Sequence, residues 1–479
     1  MPLILGTNSI KETGYDVANS CRFNDGSSDH LVWNSSPEGN RKKFTFSIWF
    51  KRAKLGSTQV LASASYSSGD EGYLYISSGD TIEWDSTNSG DGDMFSSIKL
   101  RDTSAWYHLV WAVDTTQSSA GNRMKFYLNG TQMTNWSTET QPNLNQNLYW
   151  NVGGTYYPYI GRRHSGDYWG GYMAEIVQID DQQLDPTSFG EFDSDTPTVW
   201  KPKDLSDLTF GGNTSYYLDF QDSSSLGNDV SGNNHDFTAQ NLTSIDQSTD
   251  TCTNNYATFN SLLHTNATLT EGNLQAQSPA SGGNGGISTF GASKGKWYAE
   301  FKQVAESTSN EGAIGVIDTI YLHTSNVVLS SYIEYNAGTY GLRDGTSKAG
   351  FYTSSGSVTS TNNFHDNWTT NDIIGIALDI DNNRVYFSKN GQWTDGSGNW
   401  DESNPTGYLT IQSTHGEGTY MFAVGDSSSA NNVTWAANFG SPPFSISSGN
   451  SDANGYGNFE YAVPSGYYAL NTKNLAEFG

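Results

Sequence analysis

Phe44-Thr45-Phe46-Ser47-Ile48-Trp49-Phe50 alternates large apolar with mostly small residues, the period-two repeat of a strand that turns one face to a core. Phe44, Phe46, Ile48 and Phe50 share that face and Trp49 looks outward. No 3.6-residue repeat fits the segment. The same alternation recurs outward from it, in Trp106 to Asp114, in Met124 to Thr131 and in the β-branched run Gly171 to Asp180, which Leu184-Asp185-Pro186 closes. Met124 to Thr131 passes through Asn129-Gly130, a dipeptide that accepts the positive φ of a type I′ hairpin turn. Further strands are expected at Lys296 to Phe301, Ile373 to Ile380 and Arg384 to Trp393, and the last echoes the earlier hairpin through Asn390-Gly391. The expected fold class is all-β: two antiparallel β-sandwiches joined by a polar connector.

With 479 residues, two to four domains are expected at about 150 residues each. Aromatic residues make up 13% and charged residues only 15%, a balance that excludes a disordered chain. Asp plus Glu number 50 against 24 Lys plus Arg, a net charge of −26. Such a chain repels phosphate backbones and anionic lipid, so nucleic acid and membrane insertion are excluded as partners. Met1-Pro2-Leu3-Ile4-Leu5 is too short for a secretory signal, and synthesis in a reducing cytoplasm is expected. Cys21 and Cys252 are read as free thiols in separate modules. Composition shifts to Ser, Asn, Asp and Thr after Trp200, and a glycine-rich stretch at Ser281 to Gly286 precedes the second strand set. The expected boundaries are an N-terminal arm 1–20, a first sandwich 21–200, a connector 201–275, a second sandwich 276–445 and a tail 446–479.

Three segments resemble a laminin-G-like, concanavalin A-like lectin module: Cys21 to Gly26 with Asp29-His30-Leu31; Trp106 to Val110 leading to Phe126 to Gly130; and Tyr159 to Arg162 leading to Gly171 to Ile176. The second strand set is similar to the SPRY domain at Gly295 to Phe301, Asp372 to Trp393, Phe422 to Asp426 and Trp435 to Gly440. The combination, with Asp229 to Phe237 and Tyr467 to Leu475, resembles tail-fibre-type virion proteins of marine bacteriophages. The resemblance implies a virion surface location after synthesis in the bacterial host cytoplasm. It also implies other virion proteins as partners and a homo-oligomer, a trimer if the protein is a fibre.

A concanavalin A-like sandwich can hydrolyse glycosides if two carboxylates share a strand face about 5 Å apart. Glu175 fails that test, because its same-face successors are Val177 and Ile179. Asp379 and Asp381 share a face but enter a hairpin, where acidic residues serve turns. An EF-hand is excluded there by Arg384 and Asn390 at the glycine and glutamate positions. Asp85, Asp91 and Asp93 are candidate calcium ligands, the single cofactor considered. No HExxH, nucleophile-elbow or phosphate-loop motif is present, and His108 is read as a strand histidine near the surface. No catalytic residues are expected.

Tyr, Ser, Gly and Asn dominate, the palette of binding loops. Aromatic clusters occur at Trp136, Trp150, Tyr156, Tyr157, Tyr159, Tyr168 and Trp169, and at Tyr332, Tyr335, Trp368, Trp393 and Trp400. Trp150, Tyr156, Tyr157, Arg162, Arg163, Tyr168, Trp169 and Trp393 are the expected ligand-binding residues, with Arg162 and Arg163 facing acidic sugars unless they pair with acids such as Asp167. The function expected is that of a non-enzymatic fibre or adhesin recognising a host-surface glycan or protein. A capsid-decorating structural protein and a polysaccharide-degrading enzyme are the alternatives.

Overall fold

Residue alternation of the kind seen at Phe44 to Phe50 builds strands throughout the computed structural model, which describes residues 14–67, 69–263, 267–279, 285–307, 311–319, 338–345, 348–354, 357–412, 418–426 and 432–479. The chain divides into two units, Thr13–Asn254 and a second comprising Asn255–Gly479.

The first unit holds two eight-stranded antiparallel sheets. One runs in the order β10 (Thr131–Gln132), β9 (Met124–Leu128), β8 (Trp106–Asp114), β3 (Lys43–Arg52), β13 (Gly171–Asp180), β1 (Ser20–Phe23), β18 (Gln247–Ser248), with β16 (Tyr216–Leu218) also on β13. The other runs β11 (Trp136–Thr140), β7 (Asp93–Lys99), β6 (Thr81–Ser86), β5 (Asp70–Ile76), β4 (Gln59–Ser67), β12 (Tyr157–Ile160), β2 (His30–Val32), β17 (Thr238–Gln240). Phe44, Phe46, Ile48 and Phe50 pack as expected in one buried cluster with Leu61, Leu74, Ile76, Ile82 and Trp84 of the second sheet.

The outer face of the first sheet is covered by its own chain. The hairpin β14 (Gly190–Phe192) and β15 (Trp200–Pro202) brings Trp200 into a cluster with the outward-facing Trp49. Phe189 and Leu205 cover Val110, Ala112, Val177 and Ile179. No such apolar cover is built over the outer face of the second sheet, among the described residues, and this asymmetry positions the site described below.

The second unit has a ten-stranded sheet, β19 (Thr268–Thr270), β20 (Gln275–Gln277), β32 (Val433–Asn438), β21 (Lys296–Glu306), β26 (Ile373–Asp379), β27 (Arg384–Lys389), β28 (Gln392–Thr394) and β29 (Trp400–Glu402), with β30 (Tyr408–Thr410) on β27 and β33 (Tyr468–Ala469) on β21. The β21–β33 pair is parallel. Its companion sheet runs β25 (Ser357–Thr361), β24 (Ala349–Ser354), β23 (Thr339–Arg343), β22 (Gly312–Asp318), β31 (Tyr420–Asp426). One short helix, Thr472–Phe478, is capped by the Asn471 side chain, which accepts from the Asn474 amide.

Three expectations are corrected. The polar stretch 201–275 is no free connector: β16, β17 and β18 complete the first unit's sheets, while β19 and β20 join the second unit. These strands are two or three residues long, too short to register as alternation among turn residues. The 446–479 segment is integral too, because Phe459 and Tyr467 share a buried cluster with Tyr298 and Trp393. Cys21 and Cys252 are free thiols, but both lie in the first unit.

Candidate functional site

Residues paired across a sheet point to the same side, so the register defines the exposed face of the second sheet. One row runs Val32, Tyr159, Ser63, Tyr73, Asp85 across β2, β12, β4, β5 and β6. A second runs Tyr157, Ser65, Glu71 and a third Tyr75, Glu83, Phe95. Ser63 lies between Tyr159 and Tyr73 and Ser65 between Tyr157 and Glu71. Both serines are buried, Ser63 donating to the Arg162 carbonyl at 2.9 Å and Ser65 to Glu71 at 3.3 Å, so the rings of Tyr157, Tyr159 and Tyr73 and the Asp85 carboxylate are what this face offers to solvent. Tyr73 and Tyr75 have centroids 4.9 Å apart.

The carboxylates of this face are held as acceptors. The Tyr73 hydroxyl donates to Asp85 at 2.7 Å and the Tyr75 hydroxyl to Glu83 at 2.6 Å, while Thr81 donates to Glu83 at 2.7 Å. Burial, followed by these hydrogen bonds, pushes both phenols well above the usual tyrosine value, so they stay protonated donors. Glu83 and Asp85 have the i, i+2 spacing sought at Glu175, a signal visible in the sequence and missed there. Asp93 is raised by burial and by the charge of Asp85.

The loop after β12 folds over this face. Arg163 donates to Asp167 at 2.7 Å and to Glu71 at 3.2 Å, and its guanidinium lies 4.4 Å over the Tyr73 ring. Arg162 lies 5.0 Å over Tyr159 and 5.2 Å over Tyr168, and donates to the carbonyls of Arg163 and His164. His30 stands against the same two rings, at 6.1 Å and 5.8 Å. Its Nδ1 lies 2.9 Å from the Ser28 carbonyl, which can only accept, so Nδ1 carries the proton and Nε2 is left as an acceptor.

Of the expected ligand residues, the structure gathers Tyr157, Arg162 and Tyr168 around Tyr159 and sets Arg163 over Tyr73 instead. Tyr156 instead joins Tyr66 and Tyr149, at 5.7 Å from each. Trp150, Trp169 and Trp393 are buried at 4%, 0% and 4% exposure, which takes them out of any open binding surface. The loop that carries Trp169 is turn-rich as expected, yet its indole inserts edge-on against Phe50, 5.7 Å away. Trp368 is buried and donates to Gln303. Tyr332 and Tyr335 lie outside the described residues.

Asp85, Asp91 and Asp93 do not converge, and no group of three His, Cys, Asp or Glu side chains suited to a metal is found among the described residues. Asp91 is fully buried and accepts from Ser86, Asn88, Gln146 and the Tyr149 amide, so it organises its own loop. Asp379 serves the turn as expected, accepting from Asn382, and also pairs with Lys296 at 2.9 Å, while Asp381 accepts from the Gly295 amide just before β21.

His108 is buried at 1% exposure rather than near the surface, because the β14–β15 hairpin covers it. It lies 2.8 Å from the Ser47 hydroxyl, a dyad that looks nucleophilic. Trp200 donates to its Nδ1 at 2.9 Å, so Nε2 carries the proton and donates to Ser47. That tautomer cannot take the serine proton, and burial holds the imidazole down at about 3.

Residues 25–188 match a family model described as the concanavalin A-like lectin/glucanases superfamily. The match lies within the first unit. Among solved structures the chain is similar to the SPRY domain of human HERC1, with 16% identity over 37% of this chain and 96% of that one at a TM-score of 0.28. It is similar to a SAP-like pentraxin of Limulus polyphemus at 16% identity, 36% and 80% coverage and a TM-score of 0.27. A sialidase CBM40 of Ruminococcus gnavus, bound to α2,3-sialyllactose, matches at 15% identity, 32% and 91% coverage and a TM-score of 0.24. No curated protein sequence matches the chain.

Proposed function

We propose that the protein is a non-enzymatic glycan-recognition protein whose site is the exposed face of the second sheet in the first unit. The observation that carries the reading is the row Tyr159, Ser63, Tyr73, Asp85. Its rings suit the C–H faces of a sugar, and the fixed Asp85 carboxylate suits the hydroxyls around them. The lectin-type description of the matching family supports it. A setting on a phage particle, displayed as a fibre or adhesin in several copies, is supported by the resemblance noted at Asp229 to Phe237 and Tyr467 to Leu475.

The test is binding of the whole chain to a glycan array, repeated with Tyr73→Ala and Tyr159→Ala. Each variant is expected to lose at least about tenfold in affinity, equivalent to about 1.4 kcal/mol, with no release of reducing sugar by the parent protein. Absence of any retained glycan, or equal retention by both variants, would refute the site. Antibody labelling of intact particles tests the virion setting, and label absent from the particle surface would remove it.

A further inference from the structure

The chain carries 24 cationic side chains against 50 acidic ones, and the two neighbouring arginines of the loop after β12 are held in different ways. Arg163 is consumed by Glu71 and Asp167. Arg162 has no carboxylate partner among the described residues. Two of its nitrogens are nevertheless fixed: Nε donates to the Arg163 carbonyl at 2.8 Å and Nη2 to the His164 carbonyl at 2.7 Å. With the guanidinium lying over two tyrosine rings, the group is oriented before any ligand arrives, which lowers the ordering cost of using it.

Its surroundings fit an anion beside a hydroxyl. The Nη1 end has no partner among the described residues and presents the planar edge that pairs with a carboxylate. His30, against the same rings, offers its Nε2 lone pair. Burial, and then the charge of Arg162, hold that imidazole below its ordinary value, so it stays a neutral acceptor at pH 7. Next along the face comes the Tyr73 ring, across the buried Ser63. Glu71, on the neighbouring row of the same face, is 2% exposed and already paired with Arg163, so it does not oppose an incoming anion as a free charge would.

We propose that Arg162 is the anchor for the carboxylate of an acidic sugar, with Tyr159 and Tyr168 supporting the guanidinium and His30 accepting from a hydroxyl of the same residue. This rests on the glycan reading above and names the class of sugar it selects.

The experiment is calorimetric titration of the whole chain with trigalacturonate and with 3′-sialyllactose, each beside its neutral counterpart, galactotriose or lactose. At least one acidic ligand is expected to bind about tenfold or more tighter than its counterpart. Arg162→Gln should bring that ratio to about one. Arg162→Lys, which keeps the charge without the planar fork, should lose most of it and serves if the glutamine variant fails to fold. A ratio near one in the parent protein, or one that survives in both variants, overturns the inference. If the neutral sugars bind in either case, the glycan reading stands without it. Binding of none of the four ligands overturns the inference and removes its support for the wider reading.

Discussion

Glu175 occupies a β-bulge in β13, where the register shifts between Ala174 and Val177 and its φ is +47°. The bulge sends its carboxylate to the outer side, where Tyr217 donates at 2.6 Å and Tyr15 at 3.3 Å. Burial, opposed by the Tyr217 hydrogen bond, holds this carboxyl up at about 7 against an ordinary value of 4.5. Between those values the folded chain keeps a proton that the unfolded chain has lost. The stabilisation is therefore complete below the lower value and is lost as pH rises through the upper one, about 3 kcal/mol in all. Urea unfolding at pH 5 and pH 8 should show the parent losing about that much more than Glu175→Gln; equal slopes would show that the group ionises as in the unfolded chain. Trp169 gives a second residue-level prediction, since its indole belongs to the core and not to an open loop. Trp169→Ala should lower stability by about 3 to 5 kcal/mol in denaturant melts. An unchanged melt would return the residue to the surface where its turn-rich sequence placed it.

The two Asn-Gly hairpins, β9–β10 and β27–β28, are built alike. Asn129 and Gly130 have φ of +47° and +76°, and Asn390 and Gly391 have +50° and +81°, as a type I′ turn requires. Each asparagine also reaches to the neighbouring strand, Asn129 Oδ1 accepting from the His108 amide at 2.8 Å and Asn390 Oδ1 from the Ile373 amide at 2.9 Å. A Cβ on Gly130 would meet the Trp200 ring at 2.2 Å, and one on Gly391 the Tyr461 ring at 2.6 Å, whereas Gly154, with φ of +66°, has nothing within 4 Å. Thermal melts should therefore show Gly130→Ala and Gly391→Ala costing about 2 to 4 kcal/mol and Gly154→Ala only about 1 kcal/mol, from its left-handed backbone alone. Equal costs at all three positions would mean that the rings move aside. The turn type was legible in the dipeptide. The demand for a bare Cα was not, because Trp200 and Tyr461 arrive from about 70 residues further along the chain.

Across the whole chain, the division falls at Asn254 and Asn255. Residues 13–254 and 255–479, produced separately, should each give a β-type circular dichroism spectrum and a cooperative melt. Pieces cut at the composition boundaries, 21–200 or 276–445, should be insoluble or melt without cooperativity, because β16, β17, β18, β19 and β33 would be missing from their sheets. Well-folded 21–200 would show those strands to be dispensable. The sequence by itself determined the all-β class, the long strands and the hairpin turns, because period-two burial and positive-φ dipeptides are local properties of a few neighbouring residues. Tertiary structure alone decided which aromatics face solvent. Trp150 and Tyr157 look equivalent in a turn-rich run, and only the packing of the two sheets buries the one, against Phe44, Phe46, Trp84 and Trp111, and leaves the other partly exposed. It likewise decided that Arg163 is neutralised while Arg162 is not, since Glu71 lies 92 residues away in sequence and reaches Arg163 only through the pairing of β4 with β5 and β12.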